Sequence, residues 1–119
     1  LLQVCYDLRF PVWSRNRNDY DIIFYVANWP KTRQFAFDTL LRARAIENQA
    51  FVVGVNRVGT DALGLEYDGG SCIIDFRGET LVKCSDGQNV ITEEISKNDL
   101  VAFREGFPAW KDADSFKII

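Results

Sequence analysis

Apolar residues cluster in short blocks along the chain, and each block ends in turn-forming or polar residues. Residues 21–27 (DIIFYVA) form a nearly continuous apolar run of strand length, which predicts a strand covered on both faces. Residues 50–56 (AFVVGVN) predict another strand, and residues 1–5 (LLQVC) a short one at the start. Between the two longer runs, residues 32–48 carry a helical period. Steps of 100° place Phe37, Leu40, Leu41 and Ala45 on one face, with Arg44 and Asn48 near its centre. Thr32 is the expected N-cap, and Asp38 and Arg42 form an expected i,i+4 pair. Strand, helix, strand over residues 21–56 is a βαβ signature.

Arg44 and Asn48 point the same way as the core residues, so they require buried hydrogen-bond partners. Phe35 and Ile46 fall on the back with Thr39 and Arg42. They are either two scattered exposed apolar residues or part of a contact with another subunit.

The remainder changes style. Residues 57–70 read as a long loop with four glycines, and a loop of that length in a compact domain is more often functional than idle. Residues 72–76, 80–84 and 88–95 read as short strands with turns at Arg77-Gly78 and Asp86-Gly87, predicting an antiparallel meander over 72–95. Ser96 caps a short helix running to Phe103, with Asp99 at N3 and Gly106 just beyond its end. Residues 96–119 are thus a helix followed by an aromatic-rich extended tail.

Composition narrows the function classes. At 119 residues, 47% of them hydrophobic, the chain suits one packed domain. The formal charge of -3 comes from interspersed acids and bases. No basic patch points to nucleic acid, and no apolar run approaches the roughly 20 residues of a membrane span. Three widely spaced cysteines without a C-x-x-C pair suit reduced thiols and a cytoplasmic location. The chain has no histidine, so it holds by itself no Ser-His-Asp triad, no Cys-His pair and no ordinary zinc site. With no G-x-G-x-x-G and no P-loop, no cofactor and no metal are expected.

The candidate chemistry is therefore a thiol. Cys5 ends a strand and enters the turn-rich stretch that follows, where exposed backbone N–H groups can stabilise a thiolate and a developing oxyanion. On residue chemistry alone the alternative, a small buried hydrophobe, is the commoner lot of a free cysteine. Cys72 and Cys84, inside the predicted meander, read as structural.

Four segments in order (CYDLRFP, DIIFYVANWP, LLRARAIENQAFVVGVNRVG and GGSCIIDFRGE) resemble the nitrilase superfamily of carbon–nitrogen hydrolases, with the ω-amidase branch nearest. The resemblance covers residues 3–79 and, more loosely, the last helix. It implies an α/β fold, part of a four-layer α-β-β-α sandwich that this chain holds incompletely. It implies that Cys5 is the nucleophile and that the Tyr6 N–H serves the oxyanion hole. Asn28 and Trp29 would line the substrate pocket. Asp7 and Arg9 would support the nucleophile turn, unless they are only a local ion pair, and Arg44, Glu47 and Asn48 would pack beneath it.

The implied reaction is hydrolysis of a small ω-amide of a dicarboxylic or 2-oxo dicarboxylic acid to the acid and ammonia through a thioester. The family's general-base glutamate and oxyanion-stabilising lysine lie upstream of its cysteine, and no Glu or Lys of this chain occupies a matching position. The resemblance therefore implies that residues 1–119 are the C-terminal portion of a longer domain, inactive alone and forming at least a homodimer. The alternatives are a non-catalytic scaffold fragment, or another activity of the superfamily such as carbamoylase, nitrilase or deaminated-glutathione amidase.

Overall fold

The computed structural model describes residues 1–85, 87 and 89–119. Seven strands and two α-helices are present among them: β1 (Leu2–Val4), β2 (Ile22–Ala27), α1 (Gln34–Asn48), β3 (Phe51–Asn56), β4 (Val58–Thr60), β5 (Glu66–Asp68), β6 (Cys72–Ile74), β7 (Thr80–Lys83) and α2 (Lys97–Gly106). A five-stranded sheet has the order β1-β2-β3-β6-β7, and β4 with β5 makes a separate two-stranded ribbon. The first three strands are parallel, with Val4 opposite Val26 and Ala27 opposite Asn56. β6 and β7 are antiparallel to their neighbours. The βαβ unit forms as the sequence predicts, with α1 as the crossover between β2 and β3.

The core lies between the sheet and α1. Ile23, Tyr25, Val52 and Ile74 on one sheet face meet Phe37, Leu41 and Ala45 of the helix, and all are buried. Gly54 permits the close approach, since a Cβ there would stand 2.5 Å from a Leu41 methyl. The other sheet face is open toward the carboxyl ends, where the register aligns Val4, Val26 and Val55, which are 67%, 58% and 44% exposed; at the amino ends Phe51 packs with Phe76 and Leu100, and Ile22 against them. This corrects the expectation for residues 21–27. The second face of β2 is covered only at its amino end, where Ile22 packs against the cluster of Phe51, Phe76 and Leu100; among the described residues no second sheet packs on the rest.

Several local expectations shift. Residues 31–33 form a 3₁₀ turn, the α1 N-cap is Arg33, and no side chain caps it, so Thr32 does not have that role. Asp38 pairs with Lys83 (2.8 Å) while Arg42 reaches across to the Gly78 carbonyl and Thr80, so partners on β7 and its turn displace the i,i+4 pair. Residues 57–70 hold the β4–β5 hairpin instead of an open loop. The meander ends early: β6 and β7 form the Arg77-Gly78 hairpin, but residues 89–95 carry no strand; their side chains are mainly exposed, and Ile95 packs against Phe51, Phe76 and Leu100. The predicted Asp86-Gly87 turn and the start of that strand at Gln88 involve residues outside those described.

α2 starts as expected, with the Asp99 N–H donating to Ser96 Oγ at 3.2 Å, and runs through Gly106. Its buried Arg104 donates to the Gln49 carbonyl (2.9 Å), Asp21 Oδ1 (2.8 Å) and the Tyr20 carbonyl (2.9 Å). That clamp anchors α2 at the amino ends of β2 and β3. The tail adds a 3₁₀ turn at Ala109–Asp112 and is held by Arg17 donating to the Phe116 carbonyl.

Candidate active site

Parallel strands place the carboxyl ends of β1, β2 and β3 side by side, and in open α/β sheets ligands bind at such ends. Cys5 follows β1 directly and opens the 3₁₀ turn Cys5–Arg9. Its φ of 44° lies in the left-handed region, which non-glycine residues adopt at a cost of about 1–2 kcal/mol. The side chain is partly buried against the main core, with its thiol free. Asp7 ties the turn by accepting the Val4 N–H at 2.9 Å. The Tyr6 ring is exposed and packs edge-on against Phe10 at 5.2 Å, while its N–H lies in a first turn where such groups have no intrahelical partner.

Arg9 has its own task, distinct from an ion pair with Asp7. Its guanidinium lies 5.0 Å above the Trp29 ring, in cation–π geometry. Trp29 is buried, packs on Phe37 at 5.5 Å, and donates Nε1–H to the Arg33 carbonyl at 2.8 Å. Asn28 beside it is exposed. The structure thus separates the pair: Asn28 faces outward at the carboxyl end of β2, and the Trp29 indole is part of the core.

Beneath the turn, α1 supplies the polar support that its sequence demanded. Arg44 is 3% exposed, donates to the Leu8 carbonyl inside the Cys5 turn, and bonds Glu47 at 3.0 Å. Asn48 accepts the Asn16 N–H at 2.9 Å, and Asn16 Nδ2 donates to the Asn48 carbonyl at 3.0 Å. The 3₁₀ turns after β1 are therefore fixed from below at both ends, Leu8 by Arg44 and Asn16 by Asn48. Burial holds Tyr20 and Tyr25 in their neutral forms well above the usual phenol range.

Two positions escape a reading of the sequence. Asn16 sits in an irregular stretch with no periodicity to mark it. Asn56 ends an apolar strand and is buried, where its amide joins the turn after β2 to the base of the β4–β5 hairpin. A polar residue closing the run AFVVGVN is the one visible signal.

The other thiols differ from Cys5. Cys72 is buried in β6, and desolvation pushes its pKa up to about 11. Cys84 follows β7 and is partly exposed. A cleft of about 630 Å³, lined in part by Asp21, Arg104 and Trp110, lies at the amino end of β2, away from the thiol. Among the described residues no group of three or more His, Cys, Asp or Glu side chains could hold a metal. None of their helices is long and apolar enough to cross a membrane.

An α/β sheet with a thiol at the carboxyl end of its first parallel strand agrees with the sequence motifs, and the chain belongs to the carbon-nitrogen hydrolase family, whose profile matches residues 2–105. Among curated relatives it is similar to Omega-amidase YafV of Yersinia enterocolitica, 54% identical over the whole of this chain and 47% of that protein. It is also similar to 2-oxoglutaramate amidase of Bacillus subtilis, 36% identical over 92% of this chain and 42% of that protein. A solved CN-hydrolase superfamily protein of Xanthomonas campestris superposes with a TM-score of 0.96 at 49% identity, covering 99% of this chain and 48% of that one. The chain spans about half the length of the curated relatives it matches.

Proposed function

We propose that the protein carrying this chain hydrolyses a small ω-amide of a dicarboxylic or 2-oxo dicarboxylic acid, with Cys5 as its nucleophile. The observation that carries this reading is the placement of Cys5, in a left-handed turn at the carboxyl end of β1 and backed by buried Arg44 and Asn48. The names of the relatives, an omega-amidase and a 2-oxoglutaramate amidase, support the substrate class.

In this mechanism the Cys5 thiolate attacks the amide carbonyl carbon, and the Tyr6 N–H donates to the oxygen as it becomes negative. The tetrahedral intermediate collapses with cleavage of the C–N bond. The nitrogen leaves as ammonia after taking a proton from the general acid, and a thioester remains on Sγ. Water, deprotonated by the same group acting as base, attacks the thioester and releases the carboxylic acid and the thiol. Asp7 and Arg9 hold the turn, Asn28 faces the substrate, and the Trp29 indole backs the pocket from the core. Glu47 is committed to Arg44. The acid–base glutamate and the oxyanion-stabilising lysine are assigned to residues outside these 119. Each such group contributes about 10²–10⁴-fold, so the chain alone is expected to be inactive. The setting is cytoplasmic with reduced thiols, and the working form is a homo-oligomer.

The test is ammonia release from glutaramate and 2-oxoglutaramate, comparing the chain alone with the chain extended upstream to the start of its gene. Each form is repeated with Cys5→Ala. Activity in the extended form alone, silenced by Cys5→Ala, is the expected result. Activity that survives Cys5→Ala would overturn the nucleophile, and an inactive extended form would overturn the substrate class.

A further inference from the structure

The segment between β3 and β6 is a built element. At its tip Asp61 Oδ1 accepts the N–H groups of Leu63 (2.9 Å) and Leu65 (3.0 Å), and Oδ2 accepts the Tyr67 hydroxyl (3.0 Å). Alternation along β5 puts Glu66 and Asp68 on one face and Tyr67 on the other. Tyr67 is buried under the Arg57 guanidinium, 4.6 Å from its ring centroid. Glu66 and Asp68 both face Lys31, whose Nζ lies 3.6 Å and 3.4 Å from their oxygens. The tip is preorganised and apolar, with Leu63 89% and Leu65 44% exposed.

Its location gives this element a use. Lys31 begins the 3₁₀ turn after β2, so the pairing lays the hairpin across the carboxyl end of that strand. Asn56 Nδ2 donates to both the Gly69 carbonyl at the hairpin base and the Trp29 carbonyl, each at 2.9 Å. Arg9, from the Cys5 turn, stacks on Trp29. A continuous series of contacts therefore runs from the Cys5 turn through Arg9, Trp29 and Asn56 to the hairpin.

Resting on the amidase reading above, we propose that the β4–β5 hairpin is the wall that receives the far end of the substrate. Lys31 is its positioning residue: its single positive charge offsets one of the two negative charges that Glu66 and Asp68 place beside the site. The hydrogen bond that Lys31 donates to Asp68, chiefly, raises its pKa, so the ammonium stays charged at working pH. An anionic substrate, such as an ω-amide with its free carboxylate, gains from that offset. Without Lys31 two carboxylates stand unpaired on the wall, and over roughly one Debye length they weaken an anionic ligand a few-fold. A neutral amide does not feel them.

The experiment uses the upstream-extended enzyme, with glutaramate as the anionic amide and butyramide as the neutral one of similar length. Lys31→Gln is expected to raise the KM for glutaramate about 3–5-fold, with kcat and the KM for butyramide within about twofold. High salt should shrink the difference. Lys31→Arg should keep the wild-type KM, and Lys31→Gln combined with Glu66→Gln and Asp68→Asn should bring it back to the wild-type value or below. An equal rise in KM for both amides, indifferent to salt, would make Lys31 a general prop and overturn the proposal. An active wild type with an unmoved Lys31→Gln variant would overturn it too and leave the amidase reading standing. Inactivity of the wild type on both amides would remove both together.

Discussion

Asn56 and Trp29 exchange two hydrogen bonds across the carboxyl ends of neighbouring parallel strands: the Trp29 N–H donates to Asn56 Oδ1 at 2.7 Å, and Asn56 Nδ2 donates to the Trp29 carbonyl at 2.9 Å. The exchange satisfies both backbone groups of a buried residue where the sheet ladder has ended. The second Nδ2 hydrogen reaches the Gly69 carbonyl, so one side chain replaces three missing backbone partners.

Asn56→Ala should therefore destabilise by about 2–4 kcal/mol, because a buried backbone group left without a partner costs about 1–3 kcal/mol. Urea unfolding midpoints at unchanged slope would measure it. Asn56→Asp is the sharper probe. It keeps the acceptor for Trp29 but turns a carboxylate oxygen toward two carbonyls. An Asp variant as stable as wild type would show that the two donated bonds contribute nothing.

The left-handed Cys5 gives a second expectation. Alanine removes the thiol and keeps the backbone cost, whereas glycine adopts φ near 44° freely and loses more entropy on folding. The balance favours Cys5→Gly over Cys5→Ala by about 0.5–1 kcal/mol in thermal or urea unfolding. Both variants should be inactive in the extended protein. If Cys5→Ala is the more stable, the turn is not strained at this position.

The sequence made part of this arrangement legible, and the division is physical. Helix periodicity placed Arg44 and Asn48 inside, because a buried face is a local property of spacing. It could not say that Arg44 would meet Leu8 or that Asn48 would meet Asn16, since those partners lie 36 and 32 residues away. Thr32 and the Asp38–Arg42 pair were misread for a related reason. Local capping and i,i+4 pairs are weak, and helix-to-strand contacts to Lys83 and Thr80 outcompete them. The hairpin hid inside a glycine-rich stretch because its strands are three residues each, too short for alternation to register. The motif resemblance identified the family and the Cys5 turn. Neither spacing nor motif revealed Asn56 as the link between Trp29 and the hairpin.

The back of α1 bears on assembly. Phe35 is 84% exposed and Ile46 52%, as their helical phase predicts. If this face meets another subunit, Phe35→Glu in the upstream-extended protein should weaken self-association by roughly 30-fold, the effect of losing an aromatic hot spot. Folding should be little affected, since an exposed substitution usually changes stability by about 0.5 kcal/mol or less. Light scattering across a dilution series reads both forms. A monodisperse wild-type monomer, or a variant with unchanged association, would show that the interface is elsewhere.

Cys72 yields the pH prediction. Its pKa rises from 9.0 to about 11, first through desolvation in β6, so at pH 8 its thiolate fraction is about 100-fold below that of an unperturbed thiol. Iodoacetamide on the native protein should spare Cys72, and urea should expose it to labelling. The same shift links to stability. The unfolded thiol loses its proton near pH 9 while the folded one keeps it to about 11, so the folded state binds more protons in that window and stability falls as pH rises. The contribution is fully present below about pH 9 and is lost as pH climbs through 11, up to about 2–3 kcal/mol. Tyr20 and Tyr25, also raised by burial, act in the same direction, so the comparison must be between variants. Cys72→Ala should start less stable at pH 8, having lost packing, yet decline less steeply between pH 9 and 11. Parallel decline in the two proteins would assign the alkaline limb to the tyrosines and clear the thiol.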